Sequence, residues 1–164
     1  MVYLMTNDSL PALILDTSAF FISIPVTGKI MTVPRVIAEL KDLKGKARLE
    51  VLLSQGLIIS EPDQKSLMTV RNAATKSGDG YVLSETDTDL LALAFEVHGV
   101  ICTDDFALQN TAQYLNIDVH PMMQKKPEMR IWKLRCSGCG KYYDVMPADS
   151  ICPICGLQVR RKNK

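Results

Sequence analysis

The sequence predicts an α/β fold, a parallel sheet flanked by helices, with a small cysteine-paired module at its C-terminal end. Three observations predict it. Short apolar runs alternate with helical periodicity over residues 12–120, the pattern of strands buried on both faces beneath crossover helices. The charge divides along the chain: residues 1–120 carry nine Lys and Arg against 15 Asp and Glu, whereas residues 121–164 carry ten against three. Four of the five cysteines fall within residues 136–155, in two close pairs.

The elements follow in order. The run ALIL at 12–15 ends in Asp16 and reads as a buried strand, with a turn or short helix over 17–21. Val33 and Pro34 open a helix carrying Val36, Ile37 and Leu40, proline being suited to a first helical turn, and Gly45 is expected to break it. A helix over 47–55 stops at Gly56, and LII at 57–59 forms a second buried strand. Residues 63–76 read as a helix capped by Gly78, followed by a turn at Asp79 and Gly80. Ser84 and Asp87 have capping-box spacing at the head of an apolar helix that runs through Val97 and ends at Gly99. Residues 100–102 give a third strand, 106–115 a helix and 117–119 a fourth strand. The organisation expected is a domain over 1–120, a linker over 121–130 rich in proline, methionine and lysine, and a separate module over 131–164 with a basic tail.

At 47% hydrophobic and 23% charged, the 164-residue chain has the composition of a globular protein with room for a real core. No basic start precedes an apolar leader, and no apolar run reaches the ~18 residues of a membrane span. The expectation is a cytoplasmic protein without membrane attachment, monomeric in preference to oligomeric.

Cys136 and Cys139, then Cys152 and Cys155, form two C-x-x-C knuckles with twelve residues between them. A two-residue gap lets both thiolates of a knuckle reach one ion, and the glycines that follow let backbone amides turn toward sulfur. Four soft ligands suit a tetrahedral Zn²⁺, and with no open position such a site is structural. A redox dithiol would need only one such pair. Cys102, at the end of an apolar strand, reads as a small buried residue. Around the knuckles lie Lys125, Lys126, Arg130, Lys133, Arg135, Lys141, Arg160, Arg161 and Lys162, with Trp132, Tyr142 and Tyr143 among them. Cations bind phosphate and aromatic faces stack on unpaired bases, so the module is expected to bind RNA. Taken singly, each aromatic is better explained by packing in a small core.

Asp16 follows one strand, and Asp104 and Asp105 follow another. Ligands of open α/β sheets gather outside the carboxyl ends of the strands. Asp87 lies in the first turn of its helix and Glu39 on the helix after Pro34. If the strands are neighbours, these carboxylates converge, and their repulsion is relieved by a divalent cation; hard oxygen ligands suit Mg²⁺ or Mn²⁺. Asp87 and Asp105 are also natural helix caps, and a cap does not exclude a metal role. The two histidines, His98 and His120, sit in no motif.

The blocks LILDTSAF, VPRVIAEL, LSETDTDLLALA and VICTDDFALQNTA, in that order, resemble the PIN-domain ribonucleases over nearly all of residues 12–120. The resemblance implies a PIN-like sheet. It also implies that Asp16, Glu39, Asp87 and Asp105 hold Mg²⁺ or Mn²⁺ for phosphodiester hydrolysis, assisted by Ser18 and Asp104, with 3′-hydroxyl and 5′-phosphate products. A PIN domain followed by a zinc ribbon is similar to the archaeal endonucleases that mature the 3′ end of small-subunit ribosomal RNA, which implies precursor small-subunit RNA and its subunit precursor as partners. Two alternatives stay open. A non-catalytic RNA-binding assembly factor would keep the ribbon without the carboxylates. A toxin-like PIN ribonuclease acting on mRNA or tRNA would be expected to lack the ribbon.

Overall fold

The computed structural model describes residues 10–23, 25–123 and 131–163. The stretch from Leu13 to His120 carries a five-stranded, wholly parallel sheet. In chain order the elements are β1 (Leu13–Leu15), a 3-10 turn (Thr17–Phe20), β2 (Ile30–Thr32), α1 (Pro34–Glu39), α2 (Leu43–Ser54) and β3 (Ile58–Ile59). They continue with α3 (Gln64–Ser77), α4 (Glu85–Val97), β4 (Val100–Cys102), α5 (Phe106–Tyr114) and β5 (Val119–His120). The strand order β3-β2-β1-β4-β5 places β1 at the centre. The chain winds outward from β1 through β2 to β3, then returns to the other side for β4 and β5. The carboxyl ends of β1 and β4 therefore flank the topological switch point, where open sheets leave a crevice. The core lies under this sheet, with Ile14, Leu15, Val33, Leu90, Leu91 and Ile101 essentially sealed from water.

Five local expectations change. Strand β2 falls in a stretch the sequence left unassigned; its three residues are all buried, but the apolar run merges into Val33 and the start of α1. Helix α2 begins at Leu43, four residues earlier than expected, because the Asp42 side chain accepts from Gly45 N at 2.8 Å. Gly45 thus starts a helix rather than breaking one, and a Cβ there would press on Leu40. Strand β3 is an edge strand, not a buried one: Ile58 and Ile59 remain 42% and 41% exposed. Helix α4 is closed by His98 in the left-handed region, φ 52°, before Gly99 is reached. Strand β5 lies at Val119–His120, not at 117–119.

The C-terminal module is a three-stranded antiparallel sheet, β7-β6-β8, from β6 (Trp132–Cys136), β7 (Tyr142–Tyr143) and β8 (Val159–Asn163). Its interior is Leu134, Cys136, Cys152 and Val159, with Tyr143 and Met146 packed against them. So small a core cannot fold the module unaided. The module rests on the end of α3. There Gly78 closes the helix at φ 83°, and a Cβ on it would collide with the Trp132 carbonyl. Most of the expected linker, with Lys125, Lys126 and Arg130, lies outside the described residues. Among the described residues no helix is long and apolar enough to cross a membrane.

Candidate active site and metal centre

The parallel register pairs Leu15 with Cys102, so the residues that follow, Asp16 and Thr103, emerge side by side at the switch point. The Asp16 N–H donates to Cys102 O at 3.3 Å. The Asp16 carboxylate is held by three donors: Thr17 N, Ser18 Oγ at 3.1 Å and Thr103 Oγ1 at 2.7 Å. Ser18 is thus one of the donors around Asp16. Asp105 caps α5, its Oδ1 accepting from Leu108 N at 2.8 Å, and its own N–H donates to Thr103 Oγ1 at 3.0 Å. Asp87 closes the capping box of α4, with Oδ2 accepting from both Ser84 N and Ser84 Oγ at 2.8 Å. In both caps the second oxygen makes no protein hydrogen bond among the described residues.

Glu39 sits differently. Its two oxygens accept from Thr17 Oγ1 at 2.7 Å and Thr86 Oγ1 at 2.6 Å, so it bridges the neighbour of Asp16 to the neighbour of Asp87. Asp104 has other partners: its Oδ1 accepts the N–H groups of Met122 at 2.9 Å and Met123 at 3.0 Å, fastening the segment after β5. Sequence reasoning missed the hydroxyls Thr17, Thr86 and Thr103. The signal for them was adjacency, since each stands within two positions of an acidic residue already singled out.

Burial holds the carboxyls of Asp16 and Asp87 above the usual range, and each is raised further by the negative charge of Asp105; Asp87 also feels Asp16. Among the described residues no lysine or arginine pairs with Asp16, Asp87 or Asp105. Neighbouring carboxylates without a cationic partner, Asp16 and Asp87 half-buried and Asp105 exposed, are the chemistry that a hard divalent cation fits. Their oxygens are not drawn as close as the cysteine sulfurs, which alone among the described residues bring three or more candidate ligand atoms within 4.8 Å of one another. Mg²⁺ characteristically takes one or two carboxylates and keeps water in the remaining positions, so wide spacing is compatible with it.

The four cysteine sulfurs fit zinc directly. Cys136 and Cys155 Sγ are 3.3 Å apart, and Cys139 and Cys152 Sγ are 3.7 Å apart; Zn–S bonds of about 2.3 Å in a tetrahedron place sulfurs roughly 3.8 Å apart. The Tyr143 hydroxyl lies 2.9 Å from Cys152 Sγ and holds that thiol down to about 6, and Gly138 N donates to Cys136 Sγ at 3.4 Å. These donors favour thiolate, the form that binds metal. Cys102 is buried, its thiol pushed up to about 11 by desolvation alone, as befits an inert core residue.

Strand alternation sorts the cations of the ribbon. Lys133 pairs with Lys162 and Arg135 with Arg160 across β6 and β8, so four cations share one face. Like charges directly opposite one another destabilise a sheet, and an anionic partner relieves them. Arg135 also lies over the Tyr142 ring, and Lys141 over that of Tyr143. Arg161, expected among the RNA-binding cations, is on the opposite face: it is ion-paired with buried Asp79 and lies 4.5 Å from the Trp132 ring centroid.

Comparison with known proteins agrees with the geometry. The family described as the PIN domain of ribonuclease matches residues 13–97. Endoribonuclease Nob1 of Pyrococcus abyssi is 36% identical over 149 residues, 90% of this chain and 91% of that protein. Ribonuclease VapC1 of Thermoplasma acidophilum is 39% identical over 136 residues, 82% of this chain and 68% of that protein. The 20S-pre-rRNA D-site endonuclease NOB1 of Saccharomyces cerevisiae is 33% identical over 79 residues, 48% of this chain and 17% of that protein.

Proposed function

The chain belongs to the PIN-domain ribonucleases and, over most of its length, to the Nob1 endoribonucleases, and from that membership we propose that it cuts precursor small-subunit ribosomal RNA at its 3′ end by metal-dependent hydrolysis. The observation that carries this reading is that Thr103 ties Asp16 to Asp105 beside the switch point of the sheet, with Asp87 near enough for its carboxyl to be raised by the charge of both. Asp16, Asp87 and Asp105 are the residues we assign to Mg²⁺ or Mn²⁺, with Glu39 completing the set from its place between Thr17 and Thr86. A bound divalent cation lowers the pKa of its water toward neutrality and offsets charge developing on the phosphate. The chain's own contribution is orientation. Thr103 and Ser18 fix the Asp16 carboxylate, while the caps of α4 and α5 fix Asp87 and Asp105. Neither histidine belongs to this bonded group, so proton transfer by imidazole has no part in the reading.

We assign zinc to Cys136, Cys139, Cys152 and Cys155, and RNA contact to Lys133, Arg135, Lys141 and Arg160, joined by Lys162. Residues 1–120 are net acidic and repel RNA; the opposed cations of β6 and β8 supply the attraction. That need for a polyanion on the ribbon favours a large structured RNA over a protein partner. We further propose that the chain works in the cytoplasm as a monomer. The test is incubation with an RNA spanning the 3′ end of the small-subunit precursor, with Mn²⁺ and with chelator. One specific, chelator-sensitive cut is expected; an intact substrate in Mn²⁺ rejects the assignment, and cleavage of mRNA or tRNA in its place selects the toxin-like alternative.

A further inference from the structure

The contact between the two modules is built around one arginine. Arg161 reaches from β8 to Asp79, in the loop just after α3, and pairs with its carboxylate. Asp79 is fully buried and also accepts from Asn110 Nδ2 at 2.6 Å and Ser77 Oγ at 3.1 Å, so α5 and the end of α3 both hold it in place. The guanidinium lies over two rings, Trp132 of β6 at 4.5 Å and Tyr81 of the nuclease module at 5.5 Å. Gly78 has no side chain to obstruct the Trp132 backbone. On β8, Arg161 alternates with Arg160 and Lys162, so the strand presents its RNA-facing cations on one side and this arginine on the other.

We infer that Arg161 and Asp79 form an intramolecular dock that sets the bearing of the ribbon on the nuclease module, making Arg161 a positioning residue for cleavage and not an RNA ligand. A buried carboxylate left without its cation is costly, whereas an isolated surface pair contributes little. The dock therefore holds one orientation rather than many. An RNA gripped by the opposed cations of β6 and β8 is then presented to the Asp16 cleft at a fixed distance, and the cut position follows from that distance. The consequence for cleavage rests on the function proposed above; the dock itself does not.

The test uses the full zinc-loaded chain with Arg161→Met, which keeps the packing stem, and Asp79→Asn, which keeps the shape. Amide ¹⁵N relaxation without RNA is expected to give one shared tumbling time for both modules of the parent protein, and faster independent tumbling of the ribbon in each variant. With RNA, the salt slope of binding is expected to be unchanged, while kcat falls roughly 10- to 100-fold, KM stays within about twofold and extra cut positions appear. Shared tumbling in both variants overturns the proposal. So does a salt slope reduced by about one in Arg161→Met, which would make it a phosphate ligand, or undiminished kcat in a decoupled variant. Should Arg161→Met lose zinc, Asp79→Asn, which lies outside the ribbon, decides alone. Failure of every protein, parent included, to cut RNA rejects the proposed function, while relaxation still decides whether the dock exists.

Discussion

The hydroxyl of Thr103 donates to Asp16 Oδ2 at 2.7 Å and, in the same position, accepts the N–H of Asp105 at 3.0 Å. One side chain, sealed from water, thus ties the carboxyl end of β1 to the residue that caps α5. A neutral isostere tests this tie. Thr103→Val keeps the volume and leaves Asp105 N without its acceptor, so a loss of about 1–3 kcal/mol in stability is expected. Cleavage should fall roughly 10- to 100-fold as Asp16 loses its orientation, while Thr103→Ser retains most activity. Equal rates for Thr103→Val and the parent in Mn²⁺ would remove Thr103 from the site.

Asp16 carries the pH prediction. Burial raises its folded-state carboxyl, as it does that of Asp87. A raised carboxyl favours the folded state while protonated, and that contribution is lost as pH rises through the raised value. The metal-free protein is therefore expected to be weakened at neutral pH by the charges it needs for cation binding. In chelator at pH 7, Asp16→Asn should melt higher than the parent, by a gain of about 0.5–2 kcal/mol, and the gap should close toward pH 4. In Mn²⁺ the same variant should lose cleavage by on the order of 100-fold or more. A variant that melts below the parent at pH 7 in chelator contradicts the electrostatic account.

Glu39 is predicted to act through two hydroxyls. Glu39→Gln can still accept from Thr17 or Thr86 through its amide oxygen, but not from both through equal carboxylate oxygens. Because Glu39 is exposed, the melting temperature should hardly move, within about 0.5 kcal/mol, while the Mn²⁺ concentration giving half-maximal cleavage rises. A Mn²⁺ titration of cleavage rates reads this directly. An unchanged midpoint would leave Glu39 outside the cation site.

Several of these relationships were legible in the sequence and several were not, for physical reasons. The buried runs at β1 and β4 stand out because a parallel strand covered on both faces shows no polar alternation, and their carboxyl ends mark the crevice. The cap of α4 is local, so Ser84 and Asp87 give it away by spacing. Strand β2 is three residues long and runs almost directly into Pro34, leaving no periodicity to find. Thr86 reaches Glu39 across 47 positions and Thr103 reaches Asp16 across 87, and no local pattern encodes such distances. Arg161 reads as one more cation in a basic tail until strand register shows that it faces away from Arg160 and Lys162. Its partner Asp79 reads as an ordinary turn residue until the fold buries it.

Zinc removal should act on the ribbon first. Its interior of Leu134, Cys136, Cys152 and Val159 is half cysteine, so a metal held by the four cysteines would be the main source of its folding free energy. One zinc per chain is expected by elemental analysis. Cys139→Ser, or a strong chelator, should abolish the dispersed amide signals of residues 131–163 while leaving those of the parallel sheet. Loss of the ribbon also leaves Asp79 without Arg161, though still bonded to Ser77 and Asn110. The nuclease module should therefore melt a few degrees lower, not unfold. Undisturbed ribbon signals after complete zinc loss would mean that packing alone suffices.

The opposed cations of β6 and β8 should give RNA binding a countable salt dependence. Each phosphate contact to single-stranded RNA contributes a slope of about −0.7 to the dependence of log affinity on log salt. Lys133→Ala, Arg135→Ala, Arg160→Ala and Lys162→Ala should each make that slope shallower by about that amount. The like-charge contact across the strands points the other way in the free protein. Removing one member of Lys133–Lys162 or Arg135–Arg160 relieves repulsion, so each variant should be as stable as the parent or up to about 0.5 kcal/mol more so. Weaker binding from a sturdier ribbon separates a surface kept for RNA from one kept for folding. Four variants with unaltered salt slopes would move the RNA to another face of the molecule.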